Sequence, residues 1–265
     1  MKLLLTHFFE DPSLNLTLEL FLREVAGYLG RRLLSVTLYG SVVFADLAPG
    51  YGDLDFLVVV KGDLTADDCH ALAELRKPFR RGGLGILAHM LEGAFLPASM
   101  LDPAVAGRAY WWGTSREREW DRNELGWLVL KVIRERGWVI FGDDIAAKIP
   151  EPAVKDLLED ALRFCASARK FGRGGELHSV DWLLAAARLL LWAEEDRLSS
   201  KTEAAAWGKH HAQGKWRELL PEASRLRLNP SQATMPEARR WLAQLDEPIQ
   251  EACSELEAVL LAKRH

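Results

Sequence analysis

Apolar and polar residues follow two different rhythms along this chain, and the change falls near position 150. In the first part Leu14, Leu18, Phe21, Leu22, Val25 and Leu29 recur at helical spacing. That spacing predicts a helix over residues 14–29, with Ser13 as N-cap and Gly30 as its stop. Two short runs rich in branched residues, 34–39 and 54–60, predict strands, and a Gly- and Pro-containing loop (48–52) separates them. Residues 64–77 read as a helix capped by Thr65, followed by a basic Arg80-Arg81-Gly82-Gly83 turn. A third apolar run, 84–96, is of strand type. Residues 123–136 read as a helix ended by Gly137, and 138–141 as a short strand closed by Gly142. Pro150-Glu151-Pro152 then marks a linker. Beyond it Val154, Leu157, Leu158, Ala161, Leu162 and Cys165 fall on one helical face. Residues 180–192 are apolar nearly all round, as a central bundle helix would be. The pattern therefore predicts strands mixed with helices over 1–150 and an α-helical domain over 151–265.

Composition narrows the class. With 49% apolar and 27% charged residues, the chain is neither disordered nor fibrous. A net charge of −4 does not suit a protein that wraps a nucleic-acid backbone. Cys69, Cys165 and Cys253 are odd in number and far apart, which argues against a disulfide framework or a metal knuckle. The apolar start is broken by His7 and then Glu10-Asp11, unlike a signal peptide. No uncharged run reaches the ~18–20 residues of a membrane span. The expectation is a cytoplasmic protein.

The informative stretch is Leu38-Tyr39-Gly40-Ser41, eleven residues, then Asp53-Leu54-Asp55 and five apolar residues. Residues two apart in a strand point the same way, so Asp53 and Asp55 aim both carboxylates at one spot. Paired hard oxygen ligands on a rigid element suit Mg²⁺ bound to a nucleoside triphosphate. A Gly-Ser turn after a strand offers backbone N–H groups and a hydroxyl to phosphate. Glu92 interrupts the apolar run 84–96. Burying an acid there is costly unless it is paired or ligated, and the alternative is the solvent face of an edge strand. His89 lies an odd number of residues away and should face the other side. Arg188 interrupts the apolar helix and needs an anion, either a ligand phosphate or one of Glu194, Glu195 and Asp196. The Arg116-Glu117-Arg118-Glu119 run reads as an exposed strand or turn.

The Gly-Ser and Asp-x-Asp pair resembles the signature of the nucleotidyltransferase superfamily to which DNA polymerase beta belongs. Within it, the spacer, residues 134–142 (Arg-Glu-Arg-Gly-Trp-Val-Ile-Phe-Gly) and the block 181–207 resemble the bacterial aminoglycoside adenylyltransferases that modify streptomycin and spectinomycin. Gly52 stands where those enzymes commonly have Ser. The resemblance implies an α+β chain: a polymerase-beta-like domain with a mixed sheet and flanking helices, followed by a helical bundle. It implies Mg²⁺-dependent transfer of AMP from ATP to an antibiotic hydroxyl, conferring resistance. Asp53, Asp55 and Glu92 would hold metal, with Glu92 also as general base. Gly40, Ser41, Arg188 and Lys201 would bind the nucleotide, the alternative for Lys201 being a solvated cation at a helix start. Trp112, His178 and Asp181 would bind the acceptor, most of the ten tryptophans being core. The partners implied are small molecules, ATP and aminoglycoside, taken by a monomer with no nucleic acid and no membrane. Two other readings stand beside it: the same chemistry on a protein or RNA acceptor, as in toxin–antitoxin nucleotidyltransferases, and a catalytically inactive nucleotide sensor.

Overall fold

The computed structural model describes residues 5, 6, 9–48, 50–113 and 116–264 and divides into two compact units. The first comprises Met1–Val43 and Gly52–Glu151, the second Phe44–Tyr51 and Pro152–His265. Residues 1–4 and His7 of the apolar start, and Pro49 of the loop, lie outside the described residues. Among the described residues no helix is long and apolar enough to cross a membrane. The three cysteines are buried and free.

The first unit opens with α1 (Pro12–Leu29). Its N-cap is Asp11 rather than Ser13: the Asp11 carboxylate accepts from the Ser13 N–H at 2.8 Å. An anion at a helix start gains from the dipole as well as from the hydrogen bond. Then follow β1 (Leu33–Tyr39), β2 (Leu54–Val60), α2 (Ala66–Arg80), α3 (Ile86–His89), β3 (Leu91–Pro97), β4 (Ala106–Trp112), β5 (Glu117–Arg122), α4 (Trp127–Arg136) and β6 (Trp138–Gly142). Thr65 caps α2 in a capping box with Asp68. The apolar run 84–96 is not one strand. Its first part is the turn of helix α3, so His89 lies outside the strand and the alternation argument does not govern it. The helix expected from 123 begins at Trp127, because the Asn123 side chain donates to the Met100 carbonyl and accepts from the Leu125 N–H.

The strands form one mixed sheet in the order β5-β4-β3-β2-β1-β6. β2 and β3 run parallel, and the other neighbours are antiparallel. On one face Phe56, Phe95 and Trp112 pack against Phe21 of α1 and Phe79 of α2. On the other, Tyr39, Leu57, Val59, Ala94 and Leu96 pack against Leu130 and Ile133 of α4. The charge run 116–119 enters edge strand β5, where exposed charges discourage pairing with another sheet.

The second unit is helical: α5 (Val154–Phe171), α6 (Ser179–Glu195), α7 (Lys201–His211), α8 (Leu220–Leu228), α9 (Pro236–Leu242) and α10 (Asp246–Lys263). The nearly all-apolar α6 is its centre, packed against α7, α8 and α10. Leu157, Leu158, Ala161 and Cys165 form the buried face of α5, but Val154, expected on it, is 65% exposed in the first turn.

Candidate active site

The sheet register sets the first group of polar residues. Tyr39 on β1 stands opposite Asp55 on β2, and Asp55 stands opposite Glu92 on β3. All three share the face whose next residues inward, Leu57 and Ala94, are core. β3 has β2 on one side and β4 on the other, so Glu92 sits on an interior strand rather than an edge. Asp53 precedes β2 by one residue and keeps the same parity as Asp55. The three carboxylates are half-buried. The starts of the two strands are tied by the Leu54 N–H, which donates to the Met90 carbonyl at 2.8 Å.

Gly40 begins the turn after β1 with φ +70°. A Cβ added there would lie 1.9 Å from Asp55 Oδ2. The glycine therefore does two things: it allows the left-handed turn, and it leaves the space into which the Asp55 carboxylate points. Gly40→Ala is expected to displace Asp55 and reduce turnover about a hundredfold, as misplacing a reacting group by an ångström does. Kinetics on folded protein checks this, and an unchanged rate would separate the turn from the carboxylates. Ser41 follows in the same turn and is half-buried.

Two residues the sequence reading did not single out support this group. Burial, joined by the negative fields of Asp55, Glu92 and Asp53, pushes the Tyr39 phenol well above its ordinary pKa, so it stays neutral. Arg80, at the end of α2, donates to the carbonyls of His89, of Leu91 at 3.1 Å and of Gly113 at 3.3 Å. It thus fixes the backbone that leads into Glu92. Burial and then Arg76 lower its pKa, while the fields of Glu92 and Asp53 raise it. No local signal marked Arg80, which read as part of a basic turn.

Asp53, Asp55 and Glu92 supply hard oxygen donors, the right chemistry for Mg²⁺. Among the described residues no three His, Cys, Asp or Glu side chains are drawn into a complete cage. Mg²⁺ carried by a triphosphate does not require one, since it keeps waters and phosphate oxygens beside one or two carboxylates.

Trp112, expected at the acceptor, is fully buried among Phe21, Phe56, Phe79 and Phe95. The reason is alternation. Trp111 pairs with Ala94 and so shares the face of Glu92, whereas Trp112 points to the other side. Trp111 is half-buried and stacks on Trp120 at 5.0 Å.

The second group lies in the helical unit. His178 precedes α6, and Asp181 is in its first turn, where the helix dipole favours an anion. Lys201, first residue of α7, is half-buried, with its ammonium 2.5 Å from Asp181 Oδ1. It is an ion-paired group rather than a solvated helix start. His178 Nδ1 is 3.4 Å from Asp181 Oδ2, and the Tyr51 hydroxyl donates to the same oxygen. Burial pushes the Asp181 carboxyl up, but His178, Lys201 and Tyr51 outweigh it and hold the group well below the usual carboxylate range. The bond to Asp181 raises the His178 pKa. Burial lowers that of Lys201 against the pull of Asp181, with Arg188 and Arg227 adding repulsion. Arg188, Lys201 and Arg227 thus form a cluster of cations on three successive helices. Glu195, a partner considered for Arg188, pairs with Arg197 and accepts from the Trp207 indole. The Trp182 ring stands edge-on to His178 at 6.2 Å.

Arg227 and Asp46 were invisible to the sequence reading. Both are buried, with Arg227 Nη1 3.1 Å from Asp46 Oδ2. Their partnership spans 181 residues, and no local pattern encodes it.

Residues 153–251 match the family described as aminoglycoside adenylyltransferase, C-terminal domain. No curated protein matches the chain by sequence. Among solved structures, the chain is similar to the crystal structure of spectinomycin adenyltransferase AAD(9) from Enterococcus faecialis with ATP and spectinomycin. The TM-score is 0.72 and the identity 16%, over 91% of this chain and 98% of that one. At that identity the likeness speaks for the fold.

Proposed function

We propose that this chain, whose residues 153–251 match the aminoglycoside adenylyltransferase C-terminal domain family, transfers AMP from ATP to a hydroxyl of streptomycin or spectinomycin. One observation carries the reading: Asp55 and Glu92 stand in register on adjacent parallel strands, and Gly40 leaves room for the Asp55 carboxylate. In the helical unit, the Asp181 carboxylate beside the His178 ring, which the Trp182 ring meets edge-on, offers what a cationic sugar needs, negative charge and flat walls.

Asp53 and Asp55 would hold Mg²⁺, with Glu92 beside them. When bound, the ion offsets the charge that develops on the triphosphate. Glu92 takes the proton of the acceptor hydroxyl. The hydroxyl oxygen forms a bond to the α-phosphorus, the bond to the bridging oxygen of the β-phosphate breaks, and pyrophosphate leaves with that electron pair. The Gly40-Ser41 turn would bind phosphate oxygens, and within the helical unit Arg188 and Lys201 are the cations suited to the same role.

The test is transfer of label from α-labelled ATP to a panel of aminoglycosides, with and without Mg²⁺. Label is expected on streptomycin or spectinomycin only when Mg²⁺ is present. Lys201→Met and Arg188→Met are each expected to weaken ATP binding about ten- to hundredfold, the effect of removing one charged hydrogen bond. Absence of transfer to every member of the panel overturns the assignment. Unchanged ATP affinity in both variants removes the phosphate role.

A further inference from the structure

We propose that Tyr51 is a positioning residue for the acceptor: it holds one oxygen of Asp181 so that the other is aimed at the ligand's cationic group. The proposal rests on the acceptor role given to Asp181 above.

Tyr51 lies two residues before Asp53 in sequence, yet the segment Phe44–Tyr51 is part of the helical unit. Two polar anchors hold it there. At its start, Asp46 Oδ1 accepts from the Thr202 hydroxyl at 2.6 Å and Oδ2 from the Thr202 N–H at 3.2 Å. Arg227 Nη2 donates to the Asp46 carbonyl at 2.6 Å, and its guanidinium pairs with the carboxylate. At the segment's end, the Tyr51 hydroxyl donates to Asp181 Oδ2 and lies 3.3 Å from the Leu177 carbonyl. The two anchors bracket Lys201: Thr202 follows it in α7, and Asp181 is its ion partner. A buried ion pair such as Asp46–Arg227 is rigid, because breaking it strands a charge in the interior. The segment is therefore fixed at both ends.

Asp181 thus has three partners of two kinds. Lys201 is a cation that competes with a cationic ligand for the carboxylate, and His178 joins it when protonated. Tyr51 is a neutral donor, and a hydrogen bond from it orients the carboxylate without cancelling its charge. When Lys201 turns to phosphate, Oδ1 is left to the ligand while Oδ2 stays held. A prealigned carboxylate binds more tightly because its rotation has already been restrained. Phenylalanine at position 51 keeps the ring and removes the hydroxyl that makes this restraint.

The experiment is steady-state transfer to spectinomycin and streptomycin by the wild type, Tyr51→Phe, Asp181→Asn and the double variant. Tyr51→Phe is expected to raise the acceptor KM about tenfold, the effect of one hydrogen bond to a charged group. The KM for ATP should move less than about twofold, since no phosphate contact is lost. In the Asp181→Asn background, Tyr51→Phe should add nothing, because the two act through one contact. An acceptor KM raised by Asp181→Asn but untouched by Tyr51→Phe would overturn the positioning role and leave the acceptor reading standing. Equal rises in both KM values, or additive effects in the double variant, would reduce Tyr51 to packing. If Asp181→Asn itself leaves the acceptor KM unchanged, the acceptor reading fails and takes this proposal with it.

Discussion

Replacing Asp55 by Asn is expected to lower AMP transfer by roughly three orders of magnitude, a loss of about 4 kcal/mol of transition-state stabilisation. The amide has nearly the shape of the carboxylate, so the pocket beside Gly40 stays filled and the strand pairing with Glu92 is kept. What changes is the donor, since a neutral amide oxygen is a weaker ligand for a hard divalent ion. The same reasoning applies to Asp53→Asn. Single-turnover kinetics at saturating Mg²⁺ and ATP, beside thermal unfolding, checks both. A second readout is independent of acceptor: stabilisation by Mg²⁺ with ATP should shrink in either variant, because ligand binding stabilises the folded state in proportion to its affinity. Turnover near that of the wild type would falsify the metal assignment.

Glu92→Gln is expected to reduce the chemical step by about two to four orders of magnitude while ATP still binds, as loss of a general base does. Its neighbours make it a clean test. Glu92 sits on an interior strand whose approach is held by Arg80 through the carbonyls of His89 and Leu91, so the amide replaces the acid without moving the backbone. Calorimetry gives the ATP affinity and rapid quench gives the chemical step. An unchanged chemical step would assign proton removal to another group.

Much of the fold was legible locally. The stop of α1 at Gly30, the Thr65 cap, strands β1, β2 and β6, and the central position of α6 follow from spacing, capping and apolar runs, which are properties of neighbouring residues. Strand β3 was half legible, because an apolar run of that length does not say where a turn of helix ends and a strand begins.

For the site, the sequence by itself determined the chemistry available: two carboxylates two residues apart, an acid in an apolar run, a glycine-serine turn, and cations in a helical second half. Only the tertiary structure decided which of these meet. Sheet order put Glu92 beside Asp55 and on an interior strand, and strand alternation sent Trp112 into the core while Trp111 took the face of Glu92. Lys201 met Asp181, Arg227 met Asp46, and Tyr51 joined the helical unit across 130 residues. The physical reason is the range of the forces. Helix and strand periods act between residues a few positions apart, whereas register, burial and ion pairing are settled when distant segments pack and each buried charge must find a partner.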